Sequence, residues 1–459
     1  MSTARPSVAP APAWSFPTPA RSRLATGLDV LAYELAGQHV TSMRLVVPMP
    51  LRAEPAGREG VGTILARTLD EGTARRTADE MAVALERSGV ALRAGLTDHG
   101  LVVDVDVPRR RLRVAAELLL ECLAEPAFGP TEVARHVRLR RSEIEQEHAD
   151  PASAAAIAFL AAHYPQGERF SRPAAGPDAG VAAITPDDVH AHHRRFVRPD
   201  GATIAIAGEG AREEGVDVLA DVLGRWAGPL GDAPSPGSLL SGETPGGTPV
   251  PEKGPDAGGI VVVDRPGSVQ SELYLGCAGP DRHVEGGWAP FPVLAMIVGG
   301  APQARLDAVL REEKGYTYGM RCGFRPRPGA GLFVTSGSVR ADATVDAVRL
   351  TYEILERAGE GFTDAETGDA VAFVSQTAPG RYATADAVAA EAAARCLDGT
   401  GPEETDRVLA RTRTLTAARL RDAFREHVSG EWTTVVVGDA DAIVPGLQAL
   451  GRGPVRVSR

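Results

Sequence analysis

Two distant stretches of the chain, Ile184–Gly210 (ITPDDVHAHHRRFVRPDGATIAIAGEG) and Leu415–Asp441 (LTAARLRDAFREHVSGEWTTVVVGDAD), have the same local pattern and decide the fold. Each opens on a threonine placed to cap a helix, Thr185 or Thr416, and continues at helical spacing. Each then turns and closes with a β-rich run ending in Gly208 or Gly438. The agreement extends upstream. TSMRLVVPMP from Thr41 has a counterpart in SELYLGCAGP from Ser271, and GLVVDVDV around Val103 in GLFVTSGSV around Phe333. Both of the latter run into helical patterns, RLRVAAELLLECL and TVDAVRLTYEILERA. Internal self-similarity on this scale means a duplicated unit.

Within each half the order is strand, helix pair, two strands, longer helices and a final strand. Thr77-Ala-Asp-Glu80 forms a capping box, and Gly89 is a helix-ending residue. VALRAGL and LVVDVDV alternate as strands of a sheet with one covered face. The expected fold class is therefore α+β. It consists of two homologous halves, each an antiparallel-rich sheet covered by helices, joined by a Pro/Gly linker and facing a central cleft as in a clamshell. Helices are expected on one side of each sheet, leaving the other face free to look across the cleft. The expected divisions are a flexible N-terminal segment (1–20), an N-terminal half (21–227), a linker rich in Pro and Gly (228–258) and a C-terminal half (259–459).

The 459 residues, 43% hydrophobic and 24% charged, exclude a disordered, collagenous or disulfide-scaffold chain. Cys122, Cys277, Cys322 and Cys396 form no CxxC and are expected to be small buried side chains in a reducing compartment. The N-terminus has no secretory apolar region, and no run of about eighteen apolar residues is apparent, so a cytoplasmic protein without a membrane partner is expected. A net charge of −11 without a basic cluster argues against nucleic acid as a partner.

On these marks the chain resembles the pitrilysin and insulinase family of zinc peptidases, in its mitochondrial-processing-peptidase-like branch. The resemblance rests on the duplicated half, GVGTILARTLDEGT (Gly60–Thr73), EIEQEHADP (Glu143–Pro151), HHRRFVRPDGATIAIAGE and VGGAPQARLDAVLREEKGYTYGM (Val298–Met320). Catalytic members carry H-x-x-E-H, in which two imidazoles on one helical face hold zinc and the glutamate takes a proton from zinc-bound water. Here those positions read Thr63-Ile64-Leu65-Ala66-Arg67, with both ligands and the base missing. Only Glu143 stands near the family's third ligand position. No other H-x-x-E-H or H-E-x-x-H occurs, so this chain is expected to bind no metal or other cofactor.

Other chemical signals are weak. His190, His192 and His193 lie on adjacent helical positions that point in different directions, and Glu145 with His148 is a solitary E-x-x-H better read as a solvated face. Gly299-Gly300 is a helix-ending turn, because no phosphate-binding glycine motif accompanies it.

RLDAVLREEKG reads as a helix ended by Gly315 in a left-handed turn, and YTYGMRCGF as a strand folding back, so that Arg311 and Tyr318 can converge. Tyr316 shares the strand face of Tyr318. On spacing alone, Arg311 can equally pair with a carboxylate and Tyr318 pack on the core. The resemblance implies more: this Arg and Tyr reach toward peptide bound by a zinc-bearing half, holding its carbonyl and stabilising the oxyanion. It also implies a heterodimer in which a homologous subunit with an intact H-x-x-E-H supplies the zinc and a peptide is the substrate. A scaffold or peptide-binding protein that has lost the chemistry is the second expectation. A homodimer would have no zinc site.

Overall fold

A computed structural model describes residues 13–228, 253–329, 331–428 and 430–458. Most of the expected linker and the first twelve residues lie outside these.

The duplication is explicit in two six-stranded sheets ordered β1-β2-β6-β3-β5-β4 and β12-β7-β11-β8-β10-β9. The first sheet comprises β1 (Ala20–Arg23), β2 (Asp29–Glu34), β3 (Val40–Pro48), β4 (Ala91–Leu96), β5 (Gly100–Pro108) and β6 (Thr203–Gly208). The second comprises β7 (Ile260–Asp264), β8 (Gln270–Ala278), β9 (Arg321–Arg325), β10 (Leu332–Arg340), β11 (Thr433–Gly438) and β12 (Val455–Ser458). The repeated β3–β5 and β8–β10 pairs are antiparallel, with Met43 opposite Val105 and Leu275 opposite Thr335. β2 runs parallel to β6, and β7 parallel to β11. The halves differ at one edge: β1 arrives from the N-terminal side antiparallel to β2, whereas β12 comes from the C-terminus parallel to β7.

Helices of the first half include α1 (Val61–Thr68), α2 (Ala78–Ser88), α3 (Leu112–Ala124), α4 (Pro130–Ala149) and α5 (Pro151–His163). The Thr77 capping box forms as read, and Gly89 ends α2 at φ 65°. Thr185 and Thr416 cap their helices, accepting from the Asp188 and Arg419 N–H groups. Local capping chemistry thus sets several helix starts without help from the tertiary fold.

The expectation that each sheet leaves a face free is corrected. The Ala385–Leu397 helix of the second half lies on the first sheet, where Val388, Ala389, Ala392 and Ala393 bury with Leu31, Tyr33, Val46 and Ala207. Reciprocally, α5 of the first half lies on the second sheet, where Ala155, Phe159 and Ala162 bury with Val261, Val334, Val435 and Val437. The two halves exchange a helix, because each sheet has apolar residues on both faces and burial of the second face is favourable. Gly276 on β8 makes room for this: a Cβ there would stand 2.6 Å from the Phe159 ring. Across the other contact, buried Arg44 of β3 pairs with Asp104, Asp106 and Asp386, the last at the start of the exchanged helix.

Residues 13–20 also depart from the expected flexible segment. Trp14 stacks on Tyr382 at 5.8 Å and Phe16 is buried among Tyr33 and Tyr382, because two aromatic rings there find an apolar site on the second half. Of the expected linker, Gly254 is docked, donating its N–H to the His163 carbonyl at 2.9 Å. Pro290–Glu313 is apolar and long enough to cross a membrane by composition, contrary to the sequence reading. It is interrupted at Gly299, and Phe291, Val293, Leu294, Ile297, Val298, Leu306 and Leu310 pack into the second core.

Candidate functional site

α1 is firmly built at its start. Glu54 accepts from the N–H groups of Gly60 (3.1 Å) and Gly62 (3.0 Å) and is itself gripped by buried Arg169, from Nε at 2.9 Å and Nη2 at 2.7 Å. A carboxylate at a helix N-terminus fills orphan donors and favours the dipole. Gly60 has φ 101°, and a Cβ there would meet the Ala175 carbonyl oxygen at 2.7 Å, so glycine is required.

One turn further on stand Thr63, Ala66 and Arg67. The Arg67 guanidinium binds Glu143 of α4 through two parallel bonds of 2.8 Å, Nη1 to Oε1 and Nη2 to Oε2. Arg140, almost fully buried, donates to Glu143 at 3.1 Å and in a fork to Glu147 at 2.6 and 2.7 Å. Hydrogen bonding by Arg67 holds the Glu143 carboxyl below the usual carboxylate range, partly opposed by desolvation and reinforced by Arg140. A bidentate cation therefore occupies the carboxylate that a metal would need, and no set of three metal-ligating side chains occurs among the described residues. The residues present do not fit zinc.

The remaining histidines are structural. His193 pairs its Nε2 with the Leu123 carbonyl oxygen at 2.9 Å, and His192 packs against Phe196. Burial drops both to a pKa of about 4. Glu145 and His148 are exposed, as a solvated helix face should be. Gly299 is a packing position, with a Cβ there only 2.8 Å from the Cys322 nitrogen.

In the second half, Arg305–Asp307 leads into a wider helical turn, Ala308–Glu313. Gly315 ends it at φ 64°, and the Tyr316 N–H returns to the Leu310 carbonyl at 2.9 Å. The expected strand from Tyr316 is shortened. Only a bridge, Thr317 with Val339, forms before β9 begins at Arg321. The reason is Asp307, which sequence reading passed over. Completely buried, it accepts from the Met320 N–H at 2.7 Å and from Arg321 at 2.6 Å, pulling the chain toward the helix before it can pair with β10. Its second oxygen is also 4.0 Å from Arg311 Nη1, while Arg311 Nε lies 3.4 Å from Glu312.

Tyr316 and Tyr318 have different surroundings. Tyr316 donates its hydroxyl to Asp346 at 2.9 Å. Tyr318 is 94% exposed, so it does not pack on the core. No hydrogen bond joins Arg311 to Tyr318; both are presented at the surface on either side of Gly315, Arg311 with its side chain 39% exposed. Asp307 and Gly315 were detectable in sequence only as a helical acid and a turn glycine; the convergence on Asp307 is a tertiary fact.

The insulinase family, peptidase family M16, matches residues 30–178, and the peptidase M16 inactive domain matches residues 183–373. The chain is 27% identical over 355 residues to an uncharacterised zinc protease of Mycobacterium leprae, covering 75% of each chain. It is 22% identical over 321 residues to an uncharacterised zinc protease of Rickettsia bellii, covering 70% of this chain and 73% of that one. In fold it is similar to a peptidase M16 inactive domain from Pseudomonas fluorescens, with TM-score 0.81 at 20% identity over 92% of this chain and 98% of the other. A protease from Helicobacter pylori gives TM-score 0.81 at 16% identity, covering 92% and 99%.

Proposed function

The chain belongs to the insulinase family of M16 peptidases, and from that premise we propose that it is the non-zinc-binding subunit of a heterodimeric zinc metalloendopeptidase. A homologous partner with an intact H-x-x-E-H holds the zinc and the general base; this chain supplies Arg311 and Tyr318. The observation that carries the reading is the contrast between the two halves. The metal position is closed by the Arg67–Glu143 pair, whereas Tyr318 presents a phenol with no partner of its own at 94% exposure. A large aromatic side chain so exposed invites an interaction.

In this role Arg311 holds a peptide carbonyl of the substrate and Tyr318 donates its hydroxyl hydrogen to the oxygen that becomes negative when water attacks. Such donors assist when they are fixed in place and water is excluded, conditions that a second subunit closing over this surface supplies. Asp307 fixes the chain on the far side of Tyr318 by holding Met320 and Arg321.

The test is co-expression with a homologous chain carrying H-x-x-E-H and an assay on a quenched peptide. Tyr318→Phe should leave assembly and the partner's zinc intact and lower kcat by roughly 10² to 10³. Unchanged turnover in the assembled pair would remove Tyr318 from the reaction and favour a scaffold that binds peptide without assisting its hydrolysis.

A further inference from the structure

The seam between the halves contains a polar cavity of about 460 Å³ that belongs to neither the closed metal position nor the Arg311–Tyr318 surface. Three arginines and two histidines line it against two aspartates. It forms where the β4–β5 turn of the first half meets the β9–β10 turn and the loop after β8 of the second.

The arginines are not equally satisfied. Arg52 is fully committed: Nε and Nη2 donate to Glu168 at 3.0 Å each, and Nη1 to the Pro328 carbonyl at 2.7 Å. Arg327 donates from Nε to Asp98 at 2.9 Å, but its Nη1 is buried without a hydrogen-bond partner. Arg282 stacks over Trp288 at 4.4 Å, and its Nε is likewise buried and unpartnered. The nearest carboxylate to Arg282, Asp398, is 3.6 Å away and already holds Arg395 at 3.1 Å, with His99 3.5 Å off. His283 points its Nε2 at the Asp398 carbonyl oxygen, 2.9 Å away. Burial and the neighbouring Arg395 push the Arg282 pKa down to about 10, so the local excess is of positive charge.

Buried guanidinium donors without acceptors are costly, and two of them on separate loops around one cavity call for a shared acceptor. A single planar carboxylate suits the fork of one arginine; donors arriving from separate loops suit an oxyanion with oxygens in several directions. We propose that this cavity binds a phosphate group, free or carried by a small monoester, between Arg282 and Arg327 with His99 beside it. Because Asp398 follows the exchanged Ala385–Leu397 helix and His99 lies in the other half, the bound anion ties the halves together at their seam.

The experiment is thermal unfolding of the full chain at constant ionic strength with inorganic phosphate titrated to about 10 mM, acetate being the parallel arm. A saturable rise in Tm with phosphate and none with acetate is expected. Arg282→Gln should weaken the apparent phosphate affinity by at least about tenfold. Should that variant fail to fold, Arg282→Lys, which keeps the charge and loses the fork, should show the same weakening. A phosphate monoester that shifts Tm at lower concentration than inorganic phosphate would identify the carried group as the source. No saturable rise, an equal response to acetate, or undiminished affinity in both variants would overturn the proposal.

Discussion

At the scale of single residues, the fate of the metal position rests on Arg67. Its guanidinium takes both oxygens of Glu143, leaving that carboxylate in place but unavailable. The helix bearing it remains capped by Glu54 and Arg169, so the backbone geometry for a metal site is still present. The triple change Thr63→His, Ala66→Glu and Arg67→His should therefore restore about one zinc per chain, with Glu143 as the third protein ligand. Metal analysis after dialysis checks this; a chain that folds yet stays metal-free would show that α1 and α4 are no longer placed for zinc. Residues whose role is local were legible beforehand: Thr77, Thr185 and Gly315 act within a few positions of themselves. Glu54, Asp307 and Arg282 were not, because their partners come from remote segments and an isolated acid or arginine has no periodic signature.

At the scale of elements, the strands and most helices were legible, and the helix exchange was not. The signal was nevertheless there. PASAAAIAFLAAH in α5 and AVAAEAAARCL in the Ala385–Leu397 helix are rich in small apolar residues around much of their circumference, as helices covered on more than one side are. Small side chains let these helices approach the sheets closely. Gly276→Val should push Phe159 off β8 and destabilise the chain by roughly 1–3 kcal/mol, the usual cost of overpacking. Denaturant unfolding reads the loss, and an unchanged midpoint would mean that α5 does not rest on β8 as described. Pairing Gly276→Val with Phe159→Ala should recover part of it, since the two changes meet at one contact.

At the scale of the whole molecule, three buried histidines set a common response to acid. His163, His192 and His193 are each depressed to a pKa of about 4, chiefly by burial, from an ordinary value of 6.5. Above pH 6.5 both folded and unfolded chains hold them neutral. As pH falls from there toward 4, only the unfolded chain gains the protons, so stability is lost at about 1.4 kcal/mol per pH unit for each histidine. His192→Phe, which keeps the packing on Phe196, should reduce that slope by about one proton; urea unfolding at several pH values measures it. The duplicated architecture and the missing zinc motif were legible in the sequence, whereas the closure of the vacated position by an arginine fork required the fold. The most direct test of the account is the metal content and peptide cleavage of the purified chain, alone and with a zinc-bearing homologue. The account predicts no bound zinc and no cleavage alone, and cleavage dependent on Tyr318 in the pair. Stoichiometric zinc and unaided cleavage by the single chain would contradict it.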